Sequence, residues 1–545
     1  MKPTTILTSL FAALLLAACS RQQQRSAQDT LPHLVRQGAA TQLIVDGKPF
    51  LMLGGELGNS TASSLHELDT IFGKLRRTGL NTALVPAYWE LIEPEEERFD
   101  FTSIDAAVAA ARAHSIKLVL LWFGAWKNSM SCYAPLWVKE NYEKYPRSRA
   151  QSGFPLEIMT PFDSANLTAD RRAFVALMGH LAKTDAAERT VIMVQVENEI
   201  GMIPSARDYH PEAVKQFGAP VPAQLSAYLA AHEATLYPAL RGRWEANGKK
   251  TDGAWTTLFG EGLETDEIFM AYHYGLFVEE VVRAGKQAYP LPMYLNAALN
   301  SRGRKPGEYP SAGPLAHLID VWRAAAPSVD FIAPDIYDPG FAEWCVQYHA
   351  AGNPLFIPEV GMSDDNAARV FYAFGEHEAM GFSPFSIEDI RTPSLARSYE
   401  VLRQIAPLLT EAQGKGKTRG FLLSKDNSQR TVEMGAYRLT VRHVYTYGWS
   451  PRAKDGSPWP EAGALALQLS DSEFLVAGTG VAITFSGVPG SDTAIGIGYI
   501  DKVAFTDGKM VTLRRMNGDQ SHQGRHLRLE VGDCDIQYVK LYSYR

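Results

Sequence analysis

Two glutamates, Glu199 and Glu359, each close an apolar run. Glu199 ends Val191-Ile192-Met193-Val194-Gln195-Val196-Glu197-Asn198-Glu199, and Glu359 ends Pro354-Leu355-Phe356-Ile357-Pro358-Glu359. Runs this apolar predict strands buried on both faces, as in a parallel sheet. A carboxylate where such a strand emerges is costly to place unless it has partners or a task. Two of them across one barrel mouth suit attack on a glycosidic bond. One carboxyl protonates the leaving oxygen while the other attacks the anomeric carbon, and a gap of about 5 Å gives retention through a glycosyl-enzyme. The division of labour requires one carboxyl held protonated near neutrality and the other ionised. Glu197, two residues before Glu199, lies on the same strand face and is the decoy.

The elements that must hold this pair are legible as alternation. Apolar runs recur at Phe50 to Gly55, Thr82 to Pro86, Leu118 to Phe123, Val191 to Val196, Met293 to Leu295, Phe331 to Pro334, Leu355 to Pro358 and Gly381 to Phe385. Amphipathic stretches such as Ser64 to Thr78, Ile104 to His114 and Ala169 to Lys183 separate them. This predicts an α/β fold, a (β/α)8 TIM barrel over residues 42–405, with a doubly wound open sheet as its rival. Glu199 then follows the fourth strand and Glu359 the seventh, which face each other with their C-terminal ends on the catalytic face. Leu43 to Lys48, with Asp46-Gly47 at its turn, predicts a hairpin sealing the floor. The long connection over residues 200–292 is expected to build the rim. Beyond about residue 406 the pattern changes to alternating segments such as Tyr437 to Val441 and Ala482 to Phe485, separated by Gly, Asp, Pro and Ser. A C-terminal antiparallel β-sandwich-like domain is expected over 406–545, with no evident aromatic platform.

Other residues at strand ends fit sugar recognition. Glu56 after the first strand can accept hydrogen bonds from hydroxyls, or else pair with a buried Arg or backbone amide. Asn296 at the fifth strand end can bind a hydroxyl or orient Glu199. Trp126 can stack on a sugar face, although tryptophan is more often packing; Lys127 and Tyr88 are weaker candidates. His273-Tyr274 falls in a helical pattern and reads as structural. Zinc-protease, paired-cysteine and esterase signatures are lacking in the sequence, and Gly478-Thr479-Gly480 is a turn, so no metal and no cofactor is expected.

Asn198-Glu199 at a fourth strand resembles the signature of clan A glycoside hydrolases, in which the asparagine holds the sugar 2-hydroxyl. Tyr88-Trp89-Glu90-Leu91-Ile92-Glu93-Pro94, with Phe99-Asp100-Phe101, resembles the pattern of family 35 and family 42 β-galactosidases. With Gly54-Gly55-Glu56-Leu57-Gly58-Asn59 and Trp122-Phe123-Gly124-Ala125-Trp126-Lys127, the chain looks most similar to bacterial family 35 enzymes carrying a β-rich C-terminal domain. The resemblance covers about residues 42–400. It implies exo-acting removal of terminal β-galactose, with Glu199 as acid/base, Glu359 as nucleophile and Tyr337 as the tyrosine that keeps the nucleophile ionised. The Gly-Gly-Glu of the first strand departs from the aromatic-rich pattern of many family 35 members. The expected substrate is an oligosaccharide, with xyloglucan-derived fragments suggested by association only. Two rivals stay open: another clan A β-glycosidase, such as a β-glucosidase or endo-glucanase, and a non-catalytic sugar-binding lipoprotein.

The first residues bear on location. Lys2, an apolar Ile6 to Ala18 and Leu16-Ala17-Ala18-Cys19 read as an export signal over residues 1–19, ending in a lipobox with Cys19 lipidated. Residues 20–41 then read as a tether, and Ser20 favours the outer membrane of a Gram-negative cell, facing the periplasm. The membrane is expected as a partner through this anchor alone. A net charge of −7 and the lack of long Lys/Arg runs argue against nucleic acid. Cys132, Cys345 and Cys534 permit at most one bridge within the mature chain, and none is expected. Oligomeric state leaves no mark on the sequence.

Overall fold

The computed structural model describes residues 31–389, 393–516 and 518–545, so the expected signal segment, Cys19 and the first part of the expected tether lie outside the described residues. The chain enters as an antiparallel floor sheet, β1 (His33–Gln37), β2 (Ala40–Val45) and β3 (Lys48–Phe50). Asp46 and Gly47 adopt φ of 51° and 74° and join Val45 to Lys48, the left-handed pair that a two-residue hairpin requires. Residues 33–37, read as tether, are instead the first strand: Gly38 at φ 60° turns the chain so that His33–Gln37 pairs with Ala40–Ile44. Polarity misled there, because one edge of this small sheet faces solvent.

The barrel strands are β4 (Met52–Leu53), β5 (Thr82–Tyr88) and β6 (Lys117–Lys127). After a short hairpin of β7 (Arg147–Arg149) and β8 (Pro155–Met159) come β9 (Val191–Asn198), β10 (Met293–Ala297), β11 (Phe331–Ile336), β12 (Ile357–Val360) and β13 (Gly381–Pro384). Each of the expected runs forms a strand. They make an eight-stranded parallel sheet in the order β4-β13-β12-β11-β10-β9-β6-β5, and Leu84 N–H to Gly55 O (2.9 Å) with Leu57 N–H to Leu84 O (3.0 Å) joins its two edges. Every residue of β5 and β9 is buried, as a barrel clad in helices demands. The 200–292 connection holds several helices, the longest being Leu263–Ala288. His273 on it is wedged between Phe162 and Phe269, both at 4.6 Å, and its pKa is driven to about 3 by burial.

The last barrel helix runs Ser394–Ala412, so the boundary expected at 405 falls inside it; Gly414 at φ 72° ends the turn that follows. Beyond it stand β14 (Thr418–Leu423), β15 (Gln429–Met434), β16 (Tyr437–His443), β17 (Ala462–Ser470), β18 (Glu473–Thr479), β19 (Val481–Gly487), β20 (Ala494–Thr506), β21 (Lys509–Arg515), β22 (Leu527–Arg528) and β23 (Asp535–Tyr544). They form sheets ordered β14-β17-β18-β23-β20-β21 and β15-β16-β19-β22, both antiparallel. Phe421, Leu439, Val441, Phe474, Val476 and Ile483 fill the space between them, the alternating core of a sandwich.

The sandwich lies on the helix Asn366–Glu376 almost backbone to backbone. A Cβ on Gly463 would stand 2.2 Å from the Ala368 carbonyl oxygen, and one on Gly420 would stand 2.4 Å from Glu376 N. Glycine is required at both positions by this approach. Cys345 is buried on the helix Phe341–Tyr348, Cys534 sits 3.3 Å from Ser398 Oγ, and Cys132 is exposed.

Candidate active site

Glu199 stands one residue past β9 in the left-handed region, at φ 46°, and Glu197 adopts φ 60°. Such conformations cost free energy for residues with a Cβ and persist where surroundings enforce them. Here they turn the chain end sharply, and three contacts hold it. The Glu199 N–H donates to Asn296 Oδ1 (2.9 Å), its carbonyl accepts from Ser129 N–H (3.1 Å), and its carboxylate accepts from the Asn128 amide. Glu359 sits on β12, paired in register with Asp335 of β11. Its carboxylate accepts from the Tyr337 hydroxyl at 2.8 Å and, at 3.5 Å, from the Asn198 amide. Oxygens of Glu199, Glu359 and Asp335 all lie within 4.8 Å of one another. That proximity suits the retaining separation of roughly 5–5.5 Å and falls short of the about 6.5–9.5 Å an intervening water needs.

Burial and mutual repulsion set the charges. Glu199 is pushed up to about 7, first by desolvation and then by the Glu359 charge, while Lys127 and the donors on its carboxylate oppose the rise. Asp335 is fully desolvated and faces both glutamates, so its pKa is raised well above the ordinary range. Asn296 fixes Asp335 by donating to Oδ2 at 2.6 Å, which makes Asn296 the link between Glu199 and Asp335. The same three carboxylates are the set among the described residues that could approach a cation. Asn128, Tyr337 and Asn296 already engage one oxygen of each.

Glu56 is fully buried, and neither carboxyl oxygen has a hydrogen-bond partner among the described residues. Burial and the Glu359 charge drive its pKa well up. A neutral Glu56 carboxyl can donate to the adjacent Glu359 carboxylate, and its other oxygen can accept from a hydroxyl. Among the described residues no Arg or backbone amide pairs with Glu56. Asn198 Oδ1 is likewise buried and free. Lys127 brings its ammonium near enough to lower both Glu56 and Glu199. Tyr337 is 54% exposed and so stands at the solvent side of the mouth.

Trp126 is not at the mouth, and its assignment as a stacking platform is corrected. It is fully buried, its indole N–H donates to the Met159 carbonyl (3.1 Å), and Tyr274 and Phe277 pack on it at 5.1 and 4.7 Å. β6 bulges between Trp122 and Lys127, which turns this ring outward into the helices. Tyr88 is buried against Tyr133 at 5.4 Å, and its hydroxyl has no hydrogen-bond partner among the described residues. Glu197 binds the bulge from below: its carboxylate accepts from Trp126 N–H at 2.8 Å and abuts Asp170, which takes the Trp122 indole N–H at 2.9 Å. Asp335 and Asn128 escaped the sequence reading. Asp335 had a signal, a lone acid after an apolar run at the same strand parity as Tyr337. Asn128 had none, being one polar residue in a turn.

A glycoside hydrolase family 42 model, described as beta-galactosidase, matches residues 63–247, and a domain of unknown function (DUF5597) matches residues 395–528. A curated beta-galactosidase of Xanthomonas manihotis is 29% identical over 116 residues, which are 21% of this chain and 19% of that protein. The chain thus matches about a fifth of that relative's length. Among solved structures, the β-galactosidase of the psychrophilic Marinomonas ef1 aligns at TM-score 0.45 and 13% identity, over 67% of this chain and 60% of that one. The cold-adapted β-galactosidase of Rahnella sp. R3 aligns at TM-score 0.45 and 18% identity, over 66% and 57%.

Proposed function

We propose that this chain is a retaining exo-β-galactosidase that removes terminal β-galactose from oligosaccharides. The observation that carries the reading is the Glu199–Glu359 pair: two carboxyls on the fourth and seventh strands, close enough for double displacement and differently partnered. In the proposed reaction Glu359 attacks the anomeric carbon while Glu199 gives its proton to the leaving oxygen. Glycosylation removes the Glu359 charge, so Glu199 loses the repulsion that adds to desolvation in raising its pKa, and it can take a proton from the incoming water. Tyr337 holds Glu359 in line, and Asn198 offers its free Oδ1 to the sugar.

Galactose as the sugar is supported by the family 42 match over the first half of the barrel. The family 35 resemblance of the segments 54–59, 88–101 and 122–127 points the same way. Exo action is supported by the depth of Glu56, Glu199 and Glu359, which are at most 5% exposed and suit a single terminal ring. Galactosylated xyloglucan fragments are the proposed natural source. Export as a lipoprotein through Cys19, to the outer membrane facing the periplasm, is part of the proposal and rests on the first 19 residues. No helix among the described residues is long and apolar enough to cross a membrane.

Initial rates on the nitrophenyl β-galactoside, β-glucoside, β-mannoside and β-glucuronide test the sugar. Proton NMR of the first product tests retention. Galactoside preference with β-galactose released first is expected. A large preference for another glycone would refute the galactose assignment.

A further inference from the structure

The β-rich unit carries an aromatic surface where the sequence reading found none. Tyr447 and Trp449 stack at 4.5 Å and 11°, and the His526 imidazole lies nearly parallel to both, at 5.2 and 5.7 Å. The Arg528 guanidinium stands 5.2 Å over the Trp449 ring, and His522 meets the same ring edge-on at 5.5 Å. Trp449 nonetheless stays 49% exposed. An isolated exposed tryptophan would carry no argument.

Two independent observations add to it. His526 is only 2% exposed, and its Nε2 is buried with no partner among the described residues, a polar atom of the kind that native packing rarely leaves unsatisfied. The turn that carries this surface is also linked, through successive contacts, to the loop that follows β12. β17 runs along the helix Asn366–Glu376, and just before it the Glu461 N–H donates to Asp365 Oδ1 (3.0 Å) while Arg369 pairs with the Glu461 carboxylate (2.7 Å). Asp365 belongs to the loop that leaves β12 after Glu359. Two residues before Glu461, Trp459 packs on His443 (4.8 Å) and Tyr445 (5.6 Å), just before the Tyr447–Trp449 turn in the chain.

We propose that Trp449 and Tyr447, with His522 and Arg528 at their rim, form a second carbohydrate site that binds the neutral backbone of the glycan whose terminal sugar enters the barrel. A pyranose presents C–H bonds on one face, which suit an aromatic ring, and hydroxyls at its edge, which suit imidazole and guanidinium donors. The stack fixes the ring planes in advance, so little ordering cost remains on binding. Arg528 is already paired with Glu530 at 2.7 Å, which leaves little surplus charge for an acidic ligand. The identity of the ligand as a glycan rests on the glycosidase reading above.

Native electrophoresis of the full chain through gels holding galactosylated xyloglucan or β-1,4-galactan tests the site, with Trp449→Ala and Trp449→Phe beside the unaltered chain. Retardation of the unaltered chain is expected, with affinity reduced about tenfold in Trp449→Ala and largely kept in Trp449→Phe. All three should share one kcat/KM on nitrophenyl β-galactoside, which also reports correct folding. Equal retardation of the unaltered chain and Trp449→Ala would overturn the proposal. So would retardation confined to gels of polygalacturonate or heparin. If the unaltered chain binds these neutral gels but cleaves no galactoside, the catalytic reading fails while the surface stands.

Discussion

Glu199 and Glu359 are the same side chain in nearly the same depth of burial, and what separates them is their neighbours. Glu359 receives the Tyr337 hydroxyl at 2.8 Å and sits against Glu199, whose pKa is pushed to about 7. Substitution by alanine should lower kcat by about 10²–10⁴-fold at Glu199 and at least as much at Glu359. Azide then separates the roles. With Glu199→Ala it should intercept the glycosyl-enzyme and give β-galactosyl azide, whereas with Glu359→Ala it should attack directly and give the α-anomer. NMR of the azide products would sink the assignment if the anomers were exchanged. The pH profile follows from the same neighbours. In its proposed role Glu199 must be protonated to act as acid, so kcat/KM is expected to fall as pH rises through about 7. The Asn128 amide stabilises the ionised form of Glu199. Asn128→Ala should therefore move that basic limb to higher pH, and an unmoved or lowered limb would contradict the assigned contact.

At the scale of elements, the strand ends reveal how much could be read beforehand. Barrel strands buried on both faces must be apolar throughout, so runs such as Val191 to Val196 announced themselves, and counting them located Glu199 and Glu359. Trp126 misled because hydrophobicity is the same for a ring facing a sugar and a ring facing helices. Only the bulge of β6 decides which, and bulges leave no periodic trace. Asp335 had a local signal, but its link to Glu199 could not be read, because its partner Asn296 is 39 residues away on another strand. Beneath the bulge, Glu197 and Asp170 form a buried carboxyl pair, with Asp170 raised to about 6, by desolvation first, and Glu197 raised too. Groups raised by folding bind protons in the native state that the unfolded chain has released. The contribution of Asp170 to stability is therefore full below the ordinary carboxylate range and declines as pH rises through about 6, and that of Glu197 changes in the same direction. Asp170→Asn should flatten that decline, and thermal melts from pH 4 to 7 that keep the unaltered slope would refute the pair's role.

Across the whole molecule, the barrel and the β-rich unit are not two beads on a tether. Leu465, Leu467, Leu475, Ala477, Val503, Ile536 and Tyr538 of the sandwich are buried in one continuous apolar cluster with the barrel helices. The contact is tight enough that Gly463 and Gly420 touch the backbone of the helix Asn366–Glu376, and Arg369–Glu461 and Arg430–Glu376 fasten its two ends. The helix so covered directly follows the strand that bears Glu359, so loosening the sandwich loosens the support of Glu359. Two consequences are expected. Scanning calorimetry of the full chain should show one transition, because neither unit can unfold without exposing the shared apolar face to water. Gly463→Val places a branched side chain where even a Cβ would lie 2.2 Å from the Ala368 carbonyl. It should lower the melting temperature by several degrees or split the transition, and it should reduce kcat on nitrophenyl β-galactoside although residue 463 lies outside the barrel. Two well-separated transitions in the unaltered chain, or a Gly463→Val variant with full activity and an unchanged melt, would show instead that the sandwich is carried by the barrel without supporting it.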